Sequence, residues 1–175
     1  MSNLSTLLER NRTFATKFSS ADLAILPKLR TVILTCVDAR VDPAYVLGLE
    51  LGDAVVIRNN GGRVTKAVIE EVATLAFMVG MMDSEKTVLF ELVILQHTQC
   101  GAERFADPGF QSAIQKKLGI DVSPSAIHDH EESIKDDIEI LRDAPEVPGN
   151  IVVSGLIYDV KTGRIQKVVT PETLA

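Results

Sequence analysis

This 175-residue chain holds two cysteines and three histidines, and most of its metal-binding chemistry rests on three of those five. Cys36, His97 and Cys100 each stand where an apolar run gives way to polar residues. The run Thr31 to Cys36 leads into Cys36-Val37-Asp38-Ala39-Arg40, and the run Thr87 to Gln96 leads into His97-Thr98-Gln99-Cys100-Gly101. Two soft thiolates and an imidazole are a good ligand set for zinc, which in catalytic sites keeps three protein ligands and one exchangeable position. The His-x-x-Cys spacing lets His97 and Cys100 reach one ion from a single turn. Cys36 joins them only if the fold carries it there. Taken singly, each cysteine reads more readily as a small buried hydrophobe. Their joint placement favours a metal centre.

Asp38 and Arg40 follow the first cysteine closely enough to reach the mouth of the same site. An arginine that grips a carboxylate bidentately lowers its pKa and keeps it an acceptor at neutral pH. Such an acceptor can take a proton from water activated at the metal and aim its lone pair at an electrophile. On its own, Asp-x-Arg is as readily a surface salt bridge of little energetic weight. A third strand end, Arg58-Asn59-Asn60-Gly61-Gly62, places a glycine-rich turn before a helix. Helix N-termini attract anions, but the turn lacks both the Gly-x-Gly-x-x-Gly spacing and the lysine of a phosphate loop. It reads as a turn approaching the cleft. His128-Asp129-His130 reads as the solvated start of a helix, with an accessory metal site as the lesser alternative.

The elements that must position these residues are legible from periodicity. Thr31–Cys36, Ala54–Arg58 and Thr87–Gln96 are β-branched or apolar runs without alternation, as expected of strands covered on both faces. Val68, Ile69, Val72, Leu75, Ala76 and Val79 make one face of a helix that Thr65 can cap. Asp42-Pro43 starts a short helix reaching about Leu49, and Asp107-Pro108 starts one reaching about Leu118. Asp129 and Glu132 have capping-box spacing ahead of Ile134, Ile138 and Leu141. Ile151–Val160 and Arg164–Val169 read as strands of a hairpin turned by Lys161-Thr162-Gly163. Strands alternating with helices predict an α/β domain with a mainly parallel central sheet flanked by helices. Ligands of such sheets gather at the strand ends. Leu4, Leu7, Leu8 and Asn11 at helical spacing predict an N-terminal amphipathic helix that cannot bury its stripe alone.

Cys36-x-Asp38-x-Arg40, Arg58-Asn59-x-Gly61-Gly62 and His97-x-x-Cys100-Gly101, in this order and spacing, resemble the β-class carbonic anhydrases. The resemblance is strong from Thr31 to Gly101 and looser through the Gly155 to Gly163 ending, which is similar to short prokaryotic and fungal members. It implies one zinc per chain on Cys36, His97 and Cys100, with Asp38 held by Arg40. It further implies reversible hydration of carbon dioxide to bicarbonate and a proton by hydroxide generated at zinc. A pocket would be shaped by Asn60, Gly61, Gly62, Gln99 and Gly101. Asn60 stands where alanine is common in the family, and Gln99 where aspartate is. The same kind of site in relatives hydrolyses carbonyl sulfide or carbon disulfide, and that is the alternative activity. The resemblance also implies a homodimer, often doubled to a tetramer, with residues 1–25 as a dimerisation arm and 26–175 as the core of a single domain.

Composition narrows the field. Hydrophobic residues are 46% and charged residues 24%, near the averages for globular domains. Eighteen Lys and Arg against 24 Asp and Glu give a net charge of -6, which disfavours nucleic acid or anionic membranes as partners. The polar start carries no apolar signal core, so a reducing cytoplasm is the expected setting, where two cysteines remain free thiols or metal ligands. A non-catalytic zinc protein is a further alternative. A closed structural site takes four ligands, and here Asp38 would have to be the fourth.

Overall fold

The computed structural model describes residues 2–83 and 88–175. Its five strands are β1 (Thr31–Cys36), β2 (Ala54–Asn59), β3 (Glu91–His97), β4 (Val152–Tyr158) and β5 (Ile165–Thr173). Five helices accompany them: α1 (Leu4–Ala15), α2 (Pro43–Val46), α3 (Lys66–Met82), α4 (Pro108–Leu118) and α5 (His130–Asp143). The strands form one sheet in the order β2-β1-β3-β4-β5. The first four are parallel and β5 returns antiparallel to β4.

Both faces of the sheet are covered, which is why β1 and β3 read as unbroken apolar runs. The period of two sends Val32, Leu34, Leu92 and Ile94 to one face, under Val68, Val72 and Ala76 of α3 and Ile134, Ile138 and Leu141 of α5. Ile33, Val93 and Leu95 point to the other face, packed with Val41, Cys36, Cys100 and Ile127. Thr35 pairs with Leu95, so the carboxyl ends of the neighbouring strands β1 and β3 emerge side by side. The chain goes from β1 to β2 on one side and returns to β3 on the other. The crevice between these two ends is therefore a topological switch point, where open α/β sheets place their ligands.

Several elements differ from expectation for identifiable reasons. Helix α2 stops at Val46, short of Leu49, because Gly48 turns left-handed at φ +67° just past its end. Asp42 caps that helix through the Ala44 N–H at 3.0 Å, as predicted. Thr65 makes no side-chain cap bond to α3. Strand β3 begins at Glu91, and the expected start at Thr87 lies outside the described residues. Strand β4 is shorter than the expected Ile151–Val160 run. Strand β5 runs on through Pro171 to Thr173, which an edge strand tolerates because its outward N–H groups are unpaired anyway. Asp129 accepts from the Glu132 N–H at 2.9 Å, but Glu132 turns to Lys135 instead of closing a capping box. Helix α4 runs as expected, capped by Asp107 and ended by the left-handed Gly119. Helix α1 forms, and none of its residues is buried. Among the described residues no helix is long and apolar enough to cross a membrane.

Candidate metal centre

Cys36 closes β1, His97 closes β3, and Cys100 follows one turn later, before a 3-10 segment at Gly101–Ala106. Their ligand atoms lie within 4.8 Å of one another and all three residues are buried. The two Sγ atoms are 3.7 Å apart and neither cysteine is in a disulfide. His97 Nδ1 is 3.1 Å from the Thr98 carbonyl, which can only accept, so Nδ1 carries the proton. Nε2 is then left with a free lone pair, and it is buried without a hydrogen-bond partner among the described residues. An orphaned imidazole nitrogen facing two thiols is costly unless something electropositive occupies the gap. The donor set and this orphaned atom fit zinc.

The electrostatics point the same way. The Cys36 thiol is lowered well below its ordinary value, chiefly by the hydrogen bond from the Cys100 thiol, against burial. The N–H of Asp38, 3.5 Å from Cys36 Sγ, helps hold its charge. Cys100 keeps the shared proton, and its pKa is correspondingly raised. Burial would lower His97, but the adjacent Cys36 thiolate and the Thr98 carbonyl outweigh it and raise it. Of the two thiols, Cys36 is thus the more readily ionised.

Asp38 stands at the rim. Its Oδ2 is 3.9 Å from His97 Nε2. Arg40 grips the carboxylate from Nε to Oδ1 at 2.9 Å and from Nη2 to Oδ2 at 2.7 Å, and the Arg40 N–H adds a third bond of 2.9 Å. That fork holds Asp38 well below the usual carboxylate range. Arg40 Nη2 is itself anchored by the Gln99 carbonyl at 3.0 Å. Gln99 can offer that carbonyl because it adopts a left-handed φ of 56°, uncommon for a residue other than glycine. Arg58 reaches under the same loop, donating to the carbonyls of Cys36 at 3.0 Å and Asp38 at 2.7 Å.

The glycine turn approaches as expected. Gly61 and Gly62 are buried and both have positive φ. A Cβ on Gly62 would stand 2.9 Å from the Thr35 carbonyl carbon and 3.0 Å from the Cys36 nitrogen, so only glycine permits the approach. The bonded asparagine is Asn59, which closes the turn onto the backbone of Arg63 at 2.7 and 3.0 Å. Asn60 is exposed, as are the side chain of Gln99 and Gly101, and a Cβ at Gly101 would meet nothing within 4 Å.

Sequence reasoning missed a second layer. Glu103 Oε1 accepts from the Cys100 N–H at 2.9 Å, and the same oxygen is 3.1 Å from His130 Nε2. His130 Nδ1 is 2.8 Å from Oε1 of the fully buried Gln96. The His128-Asp129-His130 segment reads as a solvated helix start, yet α5 brings His130 beside the motif, while His128 is exposed. The signal available was the Cys100-x-x-Glu103 spacing, that of a capping box with sulfur in the serine position. On the His97 side, Thr98 donates its N–H to the Tyr158 carbonyl at 2.9 Å, and its hydroxyl lies 3.4 Å from Asp159 at the hairpin.

The chain is similar to known proteins in both sequence and fold. A sequence profile described as carbonic anhydrase matches residues 31–136. The chain is 32% identical over 163 residues to a Mycobacterium tuberculosis protein named Beta-carbonic anhydrase 1, covering 92% of this chain and 94% of the relative. The crystal structure of a carbonic anhydrase from Streptococcus mutans matches with a TM-score of 0.75 at 37% identity, covering 96% of this chain and 98% of that one. A protein of Acidianus sp. named Carbon disulfide hydrolase is 28% identical over 164 residues, 79% of this chain and 76% of the relative. A profile over most of the catalytic core, joined to near full-length likeness in sequence and fold, places the chain in the β-carbonic anhydrase family.

Proposed function

We propose that this chain is a zinc enzyme that reversibly hydrates carbon dioxide to bicarbonate and a proton. The observation that carries the reading is the Asp38 carboxylate, pinned by Arg40 at the rim of a buried Cys36, His97 and Cys100 set. Those three residues would hold the ion. Zinc, when bound, supplies a Lewis acid that makes water nucleophilic near neutral pH. His97 presents Nε2 because Thr98 fixes its other nitrogen as the donor. Asp38, kept ionised by Arg40, accepts a hydrogen bond from the attacking water and so orients its lone pair toward the substrate carbon. Arg40 has a second task, keeping that carboxylate from turning inward to take the fourth position itself. Gly61 and Gly62 leave a floor without side chains, and the exposed side chains of Asn60 and Gln99 are the positions from which pocket polarity is tuned.

Assembly belongs to the same reading. The exposed leucines of α1 support a homodimer or tetramer, with residues 1–25 as an arm on a single α/β domain. Two free thiols suit a reducing cytoplasm. The second activity in view is hydrolysis of carbonyl sulfide or carbon disulfide. The 28% identical relative named for carbon disulfide hydrolysis favours keeping it. Small linear electrophiles of this kind differ in a pocket by only about 1–3 kcal/mol, so the ligand set cannot separate them.

One preparation decides. Carbon dioxide hydration by stopped flow and sulfide release from carbonyl sulfide are measured on the same zinc-replete protein. The expected result is a larger kcat/KM for carbon dioxide. Rapid sulfide release beside negligible hydration would reverse the ranking, and full zinc with no turnover of either substrate at any pH would make this a non-catalytic zinc protein.

A further inference from the structure

The two halves of the Cys-His-Cys set come from different kinds of structure. His97 is the last residue of a buried central strand, whereas Cys100 sits on the turn that follows and has its N–H held by Glu103 of the next 3-10 segment. A further link to that turn comes from α5. Glu103 accepts the Cys100 N–H at 2.9 Å, and His130, the first residue of α5, meets the same carboxylate oxygen at 3.1 Å. Its other ring nitrogen is 2.8 Å from the side-chain amide of Gln96, the residue before His97. A single imidazole therefore spans the strand that carries one ligand and the turn that carries the other.

The position of that imidazole is set by packing. Ile134, Ile138 and Leu141 bury α5 against the sheet, and Asp129 caps its first turn at the Glu132 N–H. His130 is thereby delivered to one place. Its protons are also constrained. The carboxylate of Glu103 can only accept, so Nε2 carries a proton toward it. Gln96 is fully buried, and its Nε2 has no partner among the described residues.

We propose that His130 is a positioning residue for the metal centre: with Glu103 it locks the Cys100 turn to the end of β3 and so sets the geometry of the ligand triad. The inference rests on the reading of Cys36, His97 and Cys100 as zinc ligands. Partners of this second layer change metal affinity by roughly 10–100-fold when removed. The role differs from that of Asp38, since His130 touches no reacting atom and acts through Glu103 and Gln96.

The test is zinc affinity, read by competition with a chromophoric chelator, together with the absorption spectrum of the cobalt-exchanged protein. His130→Ala is expected to bind zinc roughly 10–100-fold more weakly. Its cobalt ligand-field bands should shift while the thiolate-to-cobalt charge-transfer band keeps its intensity, since both cysteines remain. His128→Ala, two residues away on the exposed surface, should match the parent protein. His130→Ala combined with Glu103→Ala should lose less than the product of the two single losses, because both remove the same link. A folded His130→Ala with unchanged zinc affinity and an unchanged cobalt spectrum would overturn the proposal. Should that variant fail to fold, Glu103→Ala alone, altered at a more exposed side chain, breaks the same link and is read by the same two measurements, with the same outcomes for and against. Zinc affinity is read without turnover, so a chain inert toward carbon dioxide would refute the proposed activity and still let this comparison support or overturn the role of His130.

Discussion

At the carboxyl ends of β1 and β3, side chains far apart in sequence converge on one buried point; in α1, 12 consecutive residues form a regular helix and bury no side chain. The first region is assembled by non-local pairing. Thr35 must find Leu95 before Cys36 and His97 can meet, and the sheet enforces that register from both faces. The second is assembled locally, and among the described residues its chain buries none of its side chains. Leu4, Leu7 and Leu8 stay 48–61% exposed. Each region carries an unmet demand, and the demands differ in kind. A lone pair on His97 asks for a cation, while a leucine stripe asks for an apolar surface. The contrast teaches that order inside a chain and completeness of a chain are separate properties.

The largest expected effect breaks the first region outright. Cys36→Ser, His97→Ala or Cys100→Ser should reduce zinc from about one ion per chain to near none, with hydration falling to background, as loss of a main ligand requires. Elemental analysis of each purified variant checks this, and full zinc in any of them would remove that residue from the ligand set. Next comes Asp38→Asn, which keeps the three donors but replaces a proton acceptor with an amide. Zinc should be retained while turnover falls by roughly 10²–10⁴-fold, and a near-normal rate in the zinc-loaded variant would end the orienting role. Arg40→Ala should lose less, roughly 10–100-fold. A crystal structure of that variant should show Asp38 turned toward the metal, and an outward Asp38 would contradict the restraint assigned to Arg40.

The second region is sharpened by Leu7→Ser. Burying a leucine contributes roughly 1.5–3 kcal/mol, so self-association should weaken by about tenfold or more if α1 docks on a second copy. Sedimentation at micromolar concentration reads the shift, and a parent protein that sediments as a single chain would refute docking between copies. The smallest effect is a pH dependence. Arg40 depresses the Asp38 pKa in the folded state, so this pair contributes stability above the unfolded aspartate range and loses it as pH falls through the folded value. In metal-stripped protein, the difference in urea midpoint between parent and Arg40→Ala should be present near neutrality and shrink below about pH 4. A difference constant across that range would assign it to packing of the arginine stem.

The sequence made the first region more legible than its geometry would suggest. Strand ends are visible where apolar runs stop, and residue types capable of binding metal are rare enough here to be counted. Thr31–Cys36 is bounded in the structure as it is in the sequence, a doubly covered strand whose one fully buried hydroxyl, on Thr35, is satisfied by the Leu95 carbonyl. Ends set by local glycine conformation were harder to read, as at α2, where Gly48 ends the helix early. The least legible layer was the one around Cys100. Glu103 and His130 are ordinary polar residues in polar surroundings, and only the packing of α5 against β3 reveals that they meet. His128 and His130 look alike as letters. One faces solvent and the other closes a network, because successive residues at a helix start point in different directions.

Strand β5 has a consequence for how this chain behaves when crowded. It is an outer strand carrying Lys167 and Pro171, and its register against β4 slips twice, between Val153 and Gly155 and between Gly155 and Leu156. A charged side chain, a missing N–H and an uneven ladder all spoil the template that an open strand otherwise offers to a foreign one. Aggregation by end-on recruitment is thus blocked along that side of the sheet. The opposite border, β2, has no proline and no slip in its pairing with β1. Of the two edges, β2 is therefore the more open template for a foreign strand.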